Sequence, residues 1–163
     1  MPTYIRPYEP TDLEPLYELT LLAFEPVFAS FRQLLGPGIF PNLYPNWQQS
    51  QTDWVDTLVR EDKYSVWVAV IEGNPVGLIA YSLDLEKQTA EVQFLVVHPD
   101  YQNDGIGTEL NTLALEKMRE AGIKLVEVGT GGDDSHAPAR RAYEKAGYTP
   151  LPLVRYYQSL GED

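Results

Sequence analysis

Seven consecutive residues, Gln102-Asn103-Asp104-Gly105-Ile106-Gly107-Thr108, set two glycines at the mouth of a strongly patterned helix, and that arrangement suits an anion. Glycine lets backbone come close to a ligand, and the first amides of a helix point outward at the positive end of its dipole. A pyrophosphate would fit there. The same glycines also fit a plain strand-to-helix loop, because short glycine patterns are common. Two familiar phosphate loops are excluded: a Walker loop needs Lys and Ser/Thr after its second glycine, and a dinucleotide fingerprint needs a third glycine. Cysteine is absent, which removes disulfides, thiolate zinc sites, iron–sulfur clusters and thiol nucleophiles. The two histidines, His98 and His136, are too few for a three-histidine catalytic site, so no metal is expected.

The chain has 163 residues, 44% hydrophobic and 22% charged, a length and composition suited to one folded domain spanning 1–163. Its net charge of −12 opposes phosphate backbones and anionic lipid, so neither nucleic acid nor a membrane is expected as a partner. The imbalance is steepest over residues 1–100, with 14 acidic and 5 basic residues, against 10 and 7 over 101–163. A phosphate-bearing ligand is opposed least by the C-terminal part. No apolar run approaches a membrane span and the N-terminus lacks a signal-peptide pattern, which points to the cytoplasm.

The elements that must position the glycine motif are legible from periodicity. Tyr4–Pro7 reads as a short strand. A helix follows, with Thr11 and Glu14 at capping-box spacing ahead of Leu13, Leu16, Thr20, Leu21 and Phe24. Residues 25–47 carry Pro26, Gly36, Pro37, Gly38, Pro41 and Pro45, which argue for turns, yet five aromatics there argue for packing back over the domain. A second helix is expected over Gln48–Arg60. Tyr64–Ile71 and Val76–Leu83 form a hairpin across Glu72-Gly73-Asn74-Pro75, and Thr89–Val97 is a third antiparallel strand with Val92, Phe94 and Val96 alternating against Glu91, Gln93 and Leu95. Ile106, Leu110, Leu113, Ala114 and Met118 trace the apolar stripe of the clearest helix, which ends at Gly122. A strand over Ile123–Val128, a glycine-rich loop over 129–135, a helix over Ala137–Ala146 and a last strand over Val154–Leu160 complete an α/β fold.

Gln102 to Gly107, set after a strand and His98-Pro99-Asp100-Tyr101, matches the QxxGxG or RxxGxG motif of the GNAT superfamily of acyl-CoA-dependent N-acetyltransferases. Downstream, His136-Ala137-Pro138-Ala139-Arg140-Arg141-Ala142-Tyr143-Glu144-Lys145-Ala146-Gly147-Tyr148 resembles that superfamily's pattern of Asn, Pro-Ala-Arg, a Tyr-Glu pair and Gly-Phe or Gly-Tyr. Two motifs in the right order make the resemblance specific from about Tyr64 to Leu160. It implies a single domain with a GNAT-like mixed, mostly antiparallel sheet and helices on both faces.

The resemblance also implies acetyl-CoA as cosubstrate and an amine as acceptor. The amides of Asn103, Asp104, Gly105, Ile106, Gly107 and Thr108, with Gln102, would hold the pyrophosphate. Leu95, Val96 and Val97 would lie along the pantetheine arm, with the Leu95 amide polarising the thioester carbonyl. Tyr143 occupies the general-acid position, and its phenol carries a proton at neutral pH. Glu91 sits where some relatives keep a general base, with Gln93 next to it as a group that would order water. His136 stands where Asn is usual, near the pantetheine. Asp104 puts a carboxylate where relatives often have Arg, Lys or Gly. Arg140 and Arg141 are within reach of a coenzyme phosphate in this pattern, and His98 reads as a strand-end residue. A second reading is a catalytically silent coenzyme-A-binding module that serves sensing or protein interaction. An exposed sheet edge near Val154-Arg155-Tyr156-Tyr157 would support a homodimer.

Overall fold

The computed structural model describes residues 2–161. One sheet holds five strands in chain order: β1 (Tyr4–Pro7), β2 (Tyr64–Ile71), β3 (Asn74–Asp84), β4 (Thr89–Val97) and β5 (Leu125–Val128). β1 to β4 pair antiparallel, and β4 pairs with β5 in parallel. The β-branched and aromatic content of β2 to β4 lets their side chains pack on both sides of a pleated surface. On one side α1 (Leu13–Leu43) and α2 (Trp47–Arg60) bring Leu16, Leu19, Val55 and Leu58 onto Val68, Leu78, Phe94 and Val96. On the other, α3 (Ile106–Glu120) lays Ile106, Leu110, Ala114 and Met118 onto Ile79, Tyr81 and Val92. Removing one such Leu, Ile or Val side chain from water contributes about 1.5–3 kcal/mol, so these two layers hold the sheet rigid for the site at its edge. α4 (Ala137–Lys145) packs beside α3. The fold is therefore a mixed, mostly antiparallel sheet with helices on both faces. Among the described residues no helix is long and apolar enough to cross a membrane.

The structure departs from the sequence reading in four places. Residues 25–43 are helical where prolines argued for turns. Pro26 and Pro41 sit inside α1, and the break falls instead at Gly36 (φ 75°, ψ 177°), after which Pro37 opens the next helical stretch. The aromatic cluster offsets the lost hydrogen bonds: Phe28 stacks on Trp47 at 4.6 Å and meets Tyr44 edge-on at 5.1 Å, around buried Val27 and Phe40.

The Thr11–Glu14 capping box does not form. Thr11 lies in a 3₁₀ turn, Pro10–Asp12, and buried Asp12 takes two hydrogen bonds from Arg6 (2.8 and 2.9 Å) and one from the Glu9 amide (2.8 Å).

β4 is not a regular alternation. Tyr81 faces Val92 and Ala80 faces Phe94, so Gln93 is an extra residue, a bulge. It sends Val92 into the α3 layer and Phe94 and Val96 into the α1 layer.

The last strand is absent. Residues 149–160 run without regular structure, and the dimerising edge expected at Val154–Tyr157 is not a sheet edge; β5 ends the sheet. Leu151, Leu153, Val154, Tyr156 and Leu160 are exposed.

Candidate functional site

The β4–β5 ladder runs from Thr89 opposite Leu125 to Val92 opposite Val128 and stops there, while β4 continues to Val97. Beyond the Gln93 bulge the backbone of β4 therefore faces a gap on its β5 side, where an extended ligand arm can pair with it as an added strand would. A cavity of about 530 Å³ occupies that gap. It is lined by Leu95, Val96 and Val97 of β4, by Gln102, Asn103 and Gly105 to Thr108, by Phe24, Pro26 and Val27 of α1, and by Arg141 and Tyr143 of α4.

The glycine segment opens the cavity onto free backbone amides. Asn103 (φ 71°) and Gly105 (φ 85°) both take left-handed backbone, turning the chain sharply into α3, whose N-cap is Gly105. The first i→i−4 bond of α3 runs from the Glu109 amide to the Gly105 carbonyl at 2.9 Å, which leaves the amides of Ile106, Gly107 and Thr108 directed out of the helix. A Cβ on Gly107 would lie 3.8 Å from that of Ala142 and 4.0 Å from Val97 Cγ2, ordinary contacts that leave α4 and β4 close against this turn. Gln102 donates from Nε2 to the Val97 carbonyl at 3.1 Å, tying the loop to the strand end. Arg141 and Lys145 bring positive charge to the cavity. Asp104 is exposed and lies outside the cavity lining, so its carboxylate does not crowd the cradle. Arg140 is engaged elsewhere, donating to the carbonyls of Gly131 and Asp133 at 2.7 Å each. His98 accepts the Asp100 amide at 3.1 Å and caps a turn.

Tyr143 is 8% exposed and lines the cavity. Burial, and then the nearby Tyr148, push its phenol well above the ordinary range, while burial pushes Tyr148 up to about 12. The two rings meet edge-on at 5.6 Å. Burial thus favours the neutral, proton-bearing form of the Tyr143 phenol.

Glu91 is placed apart from these groups. It is exposed and lines a separate cleft of about 290 Å³ with Ser82, Asp84 and Glu127, outside the lining of the larger cavity. Glu91 and Glu127 are direct partners in the β4–β5 ladder, a like-charge pairing that costs stability and draws cations. Gln93 lines the larger cavity and donates to Ser82 Oγ at 3.1 Å. The sequence reading missed Glu127, whose signal was its alternation with Val126 and Val128. It also missed Asp133, which holds His136 from three residues upstream, and the α1 wall of the cavity.

Residues 28–148 match the model of the Acetyltransferase (GNAT) family, and the chain belongs to that family. Over 103 residues it is 29% identical to an uncharacterized N-acetyltransferase of Methanocaldococcus jannaschii, covering 60% of this chain and 45% of that one. It is 32% identical over 108 residues to the mycothiol acetyltransferase of Beutenbergia cavernae, covering 63% and 36% respectively. The match thus spans less than half of either relative's length. In fold, it is similar to the PaiA N-acetyltransferase of Thermoplasma acidophilum solved with coenzyme A, with a TM-score of 0.72, 20% identity and 91% of each chain covered. It is also similar to an aminoglycoside acetyltransferase from an uncultured soil metagenomic sample solved with sisomicin, with a TM-score of 0.63, 21% identity, and 98% and 97% of the two chains covered.

Proposed function

We propose that this chain is an N-acetyltransferase that moves an acetyl group from acetyl-CoA to a primary amine by direct attack within a ternary complex. The observation that carries the reading is one continuous cavity in which the diverging β4–β5 gap joins the open amides of α3 at one end and passes the buried Tyr143 phenol. The residues fit the coenzyme. Amides of Ile106, Gly107 and Thr108, reached through the left-handed Asn103 and Gly105, hold the pyrophosphate; Asp104 contributes backbone only; and Arg141 and Lys145 supply charge. The free side of β4 from Leu95 to Val97 pairs with the pantetheine arm. When bound, the coenzyme supplies an acyl group on a thiolate leaving group.

The chain's own contribution is to orient and to move protons. Tyr143 delivers its proton to the departing sulfur, and the low-dielectric setting that holds the phenol neutral also makes a bare thiolate costly there. The Leu95 amide polarises the carbonyl oxygen. Glu91 and Glu127 set a negative field at the sheet edge, and with the acidic first 100 residues they favour a cationic amine through steering. Any proton that Glu91 takes travels through water past Gln93, because the carboxylate lies outside the Tyr143 cavity. The exposed apolar residues of 151–160 favour self-association, and a homodimer is the simplest assembly that would cover them.

Incubation with acetyl-CoA and a mixed panel of polyamines, aminoglycosides, amino acids and peptides, read by mass spectrometry, should give a gain of one acetyl group on at least one amine. Tight binding of acetyl-CoA with no acetylated product would mark a silent coenzyme-binding module instead.

A further inference from the structure

After α4 the chain becomes an arm. The Tyr148 amide donates to the Tyr143 carbonyl at 3.1 Å and the Tyr148 hydroxyl is buried, which fixes the root. From 149 to 160 no backbone group takes part in a hydrogen bond among the described residues. Pro150 and Pro152 lock their own φ and hold Thr149 and Leu151 extended, so the arm is stiff at its base. Beyond them Val154, Tyr156, Gln158 and Leu160 alternate with Arg155, Tyr157 and Ser159, the period of a strand. Leu151, Leu153, Val154, Tyr156 and Leu160 are 76–88% exposed, a run of apolar surface that marks a docking segment.

The sheet of the same chain has an open edge that such a strand fits. β5 pairs with β4 on one side and with nothing on the other, so its outer backbone groups are free to pair. Its side chains divide cleanly: Val126 and Val128 pack with the α3 layer, and Leu125 and Glu127 are exposed on the opposite face. Glu127 stands directly opposite Glu91, and neither carboxylate has an ion-pair partner among the described residues. The edge therefore lacks one apolar cover and one cation. The sheet's other edge, β1, contains Pro7 and no acidic residue, and its Arg6 is taken by Asp12. Burial, then Tyr157, push the Tyr44 phenol up while Arg155 draws it down, which puts the arm beside the end of α1 and leaves its own β5 edge open.

We propose that the arm of each copy adds as an antiparallel strand to the outer edge of β5 in a second copy, with Arg155 opposite the partner's Glu127, an inference that rests on the homodimer reading. Arm and edge lie on every copy, so each gives one strand and receives one, and the assembly closes at two. With Arg155 opposite the partner's Glu127, Val154 meets the partner's Val128, Tyr156 the partner's Val126 and Tyr157 the partner's Leu125. Every cross-strand pair is then apolar or oppositely charged. A slip of one residue turns the whole set to the wrong face, and a slip of two puts Leu153 or Tyr157 against the carboxylate. The arm also closes the outer side of the cleft that Glu91, Glu127 and Leu125 line, so each cleft is completed by the other copy.

The chain has no cysteine, so an introduced pair can be oxidised without competition. In this register residues 125 and 157 are directly opposite, about 4.5–5.5 Å apart at Cα, within disulfide reach. Leu125→Cys/Tyr157→Cys should therefore oxidise to a covalent dimer, and Leu125→Cys/Leu153→Cys, about 13 Å out of register, should not. Sedimentation equilibrium reads the dimer itself, with circular dichroism as the check on folding. Arg155→Glu should weaken association about ten-fold, and Arg155→Glu/Glu127→Arg should restore it to within about three-fold of wild type. A disulfide formed within one chain, equal crosslinking of the two cysteine pairs, or a dimer indifferent to Arg155→Glu would each overturn the exchange while leaving a homodimer in place. A wild type that stays monomeric at millimolar concentration would overturn the homodimer reading as well.

Discussion

Gly131→Ala separates space from conformation at the His136–Asp133 pair. The Gly131 backbone lies outside the left-handed region, so alanine is allowed there by φ, and the only obstacle is room. The new Cβ would stand 2.8 Å from both Asp133 Oδ1 and His136 Cε1, against 3.4 Å for ordinary contact, so the ring must retreat by at least 0.6 Å and further at Nδ1. Its stacking on Phe31 and its bond to Asp133 leave it no unstrained place to go. His136 lines the cavity, and a displacement near 1 Å of a group that positions a bound ligand costs on the order of 100-fold in rate. Losing a hydrogen bond to a charged partner costs about 1.5–3 kcal/mol, which for a chain of this size lowers Tm by roughly 3–12 °C. Steady-state kinetics, coenzyme A calorimetry and scanning calorimetry on one preparation read all three quantities. Turnover should fall on the order of 100-fold, and Tm should fall within the range above. Gly132→Ala is the control, because a Cβ there meets nothing within 4 Å and should change neither activity nor stability. Wild-type turnover in Gly131→Ala would show that the placement of His136 does not matter to the reaction.

Tyr143→Phe should lower kcat by about 100-fold or more with coenzyme affinity within a few-fold, since only the proton offered to sulfur is lost; a more activated thioester should recover much of the rate, and an unaffected kcat would reduce Tyr143 to a packing residue. Glu91→Gln should raise KM for cationic acceptors at low ionic strength, with the difference fading in about 0.5 M salt, as expected for steering; a large fall in kcat would instead make Glu91 the base. Arg6→Ala should cost about 3–5 kcal/mol in chemical denaturation at pH 7, because it leaves Asp12 buried without its partner. Asp12 is held below its ordinary 3.8 mainly by the Arg6 and Glu9 hydrogen bonds working against burial, so the stability it contributes is full above 3.8 and drains away as pH falls below it. The gap between wild type and Arg6→Ala should therefore narrow steadily as pH falls below 3.8, and a gap that does not narrow in acid would contradict the pairing.

What the sequence made legible was whatever repeats locally. β2 and β4 begin and end where β-branched and aromatic content does, and α3 follows its apolar stripe from Ile106. The glycine motif and Tyr143 were legible as types at fixed spacing. What it hid was set by partners far along the chain. The Gln93 bulge leaves the residue types of β4 alternating and reverses their faces, and only the pairing with Tyr81 and Ala80 shows it. Pro26 and Pro41 argue against a helix until Trp47 and Tyr44 are seen packed around Phe28. Val154–Leu160 alternates like a strand, but nothing in the described chain pairs with it. His136 was visible as a departure from Asn. Its placement depends on Ser30 and Phe31, more than a hundred residues away, which no local pattern joins to it.

Titration calorimetry of coenzyme A against the wild type and Gly107→Leu tests the central assignment, that the glycine end of this cavity holds the coenzyme. A Cβ at residue 107 stands 3.8 Å from Ala142 and 4.0 Å from Val97, so α3 and the sheet accommodate the start of a side chain whose remainder must enter the cradle. The wild type should bind, and Gly107→Leu should bind at least about 100-fold more weakly with its Tm in the absence of ligand within a few degrees of wild type. Equal affinity in the two proteins, or no binding to the wild type at millimolar coenzyme A, would contradict the assignment.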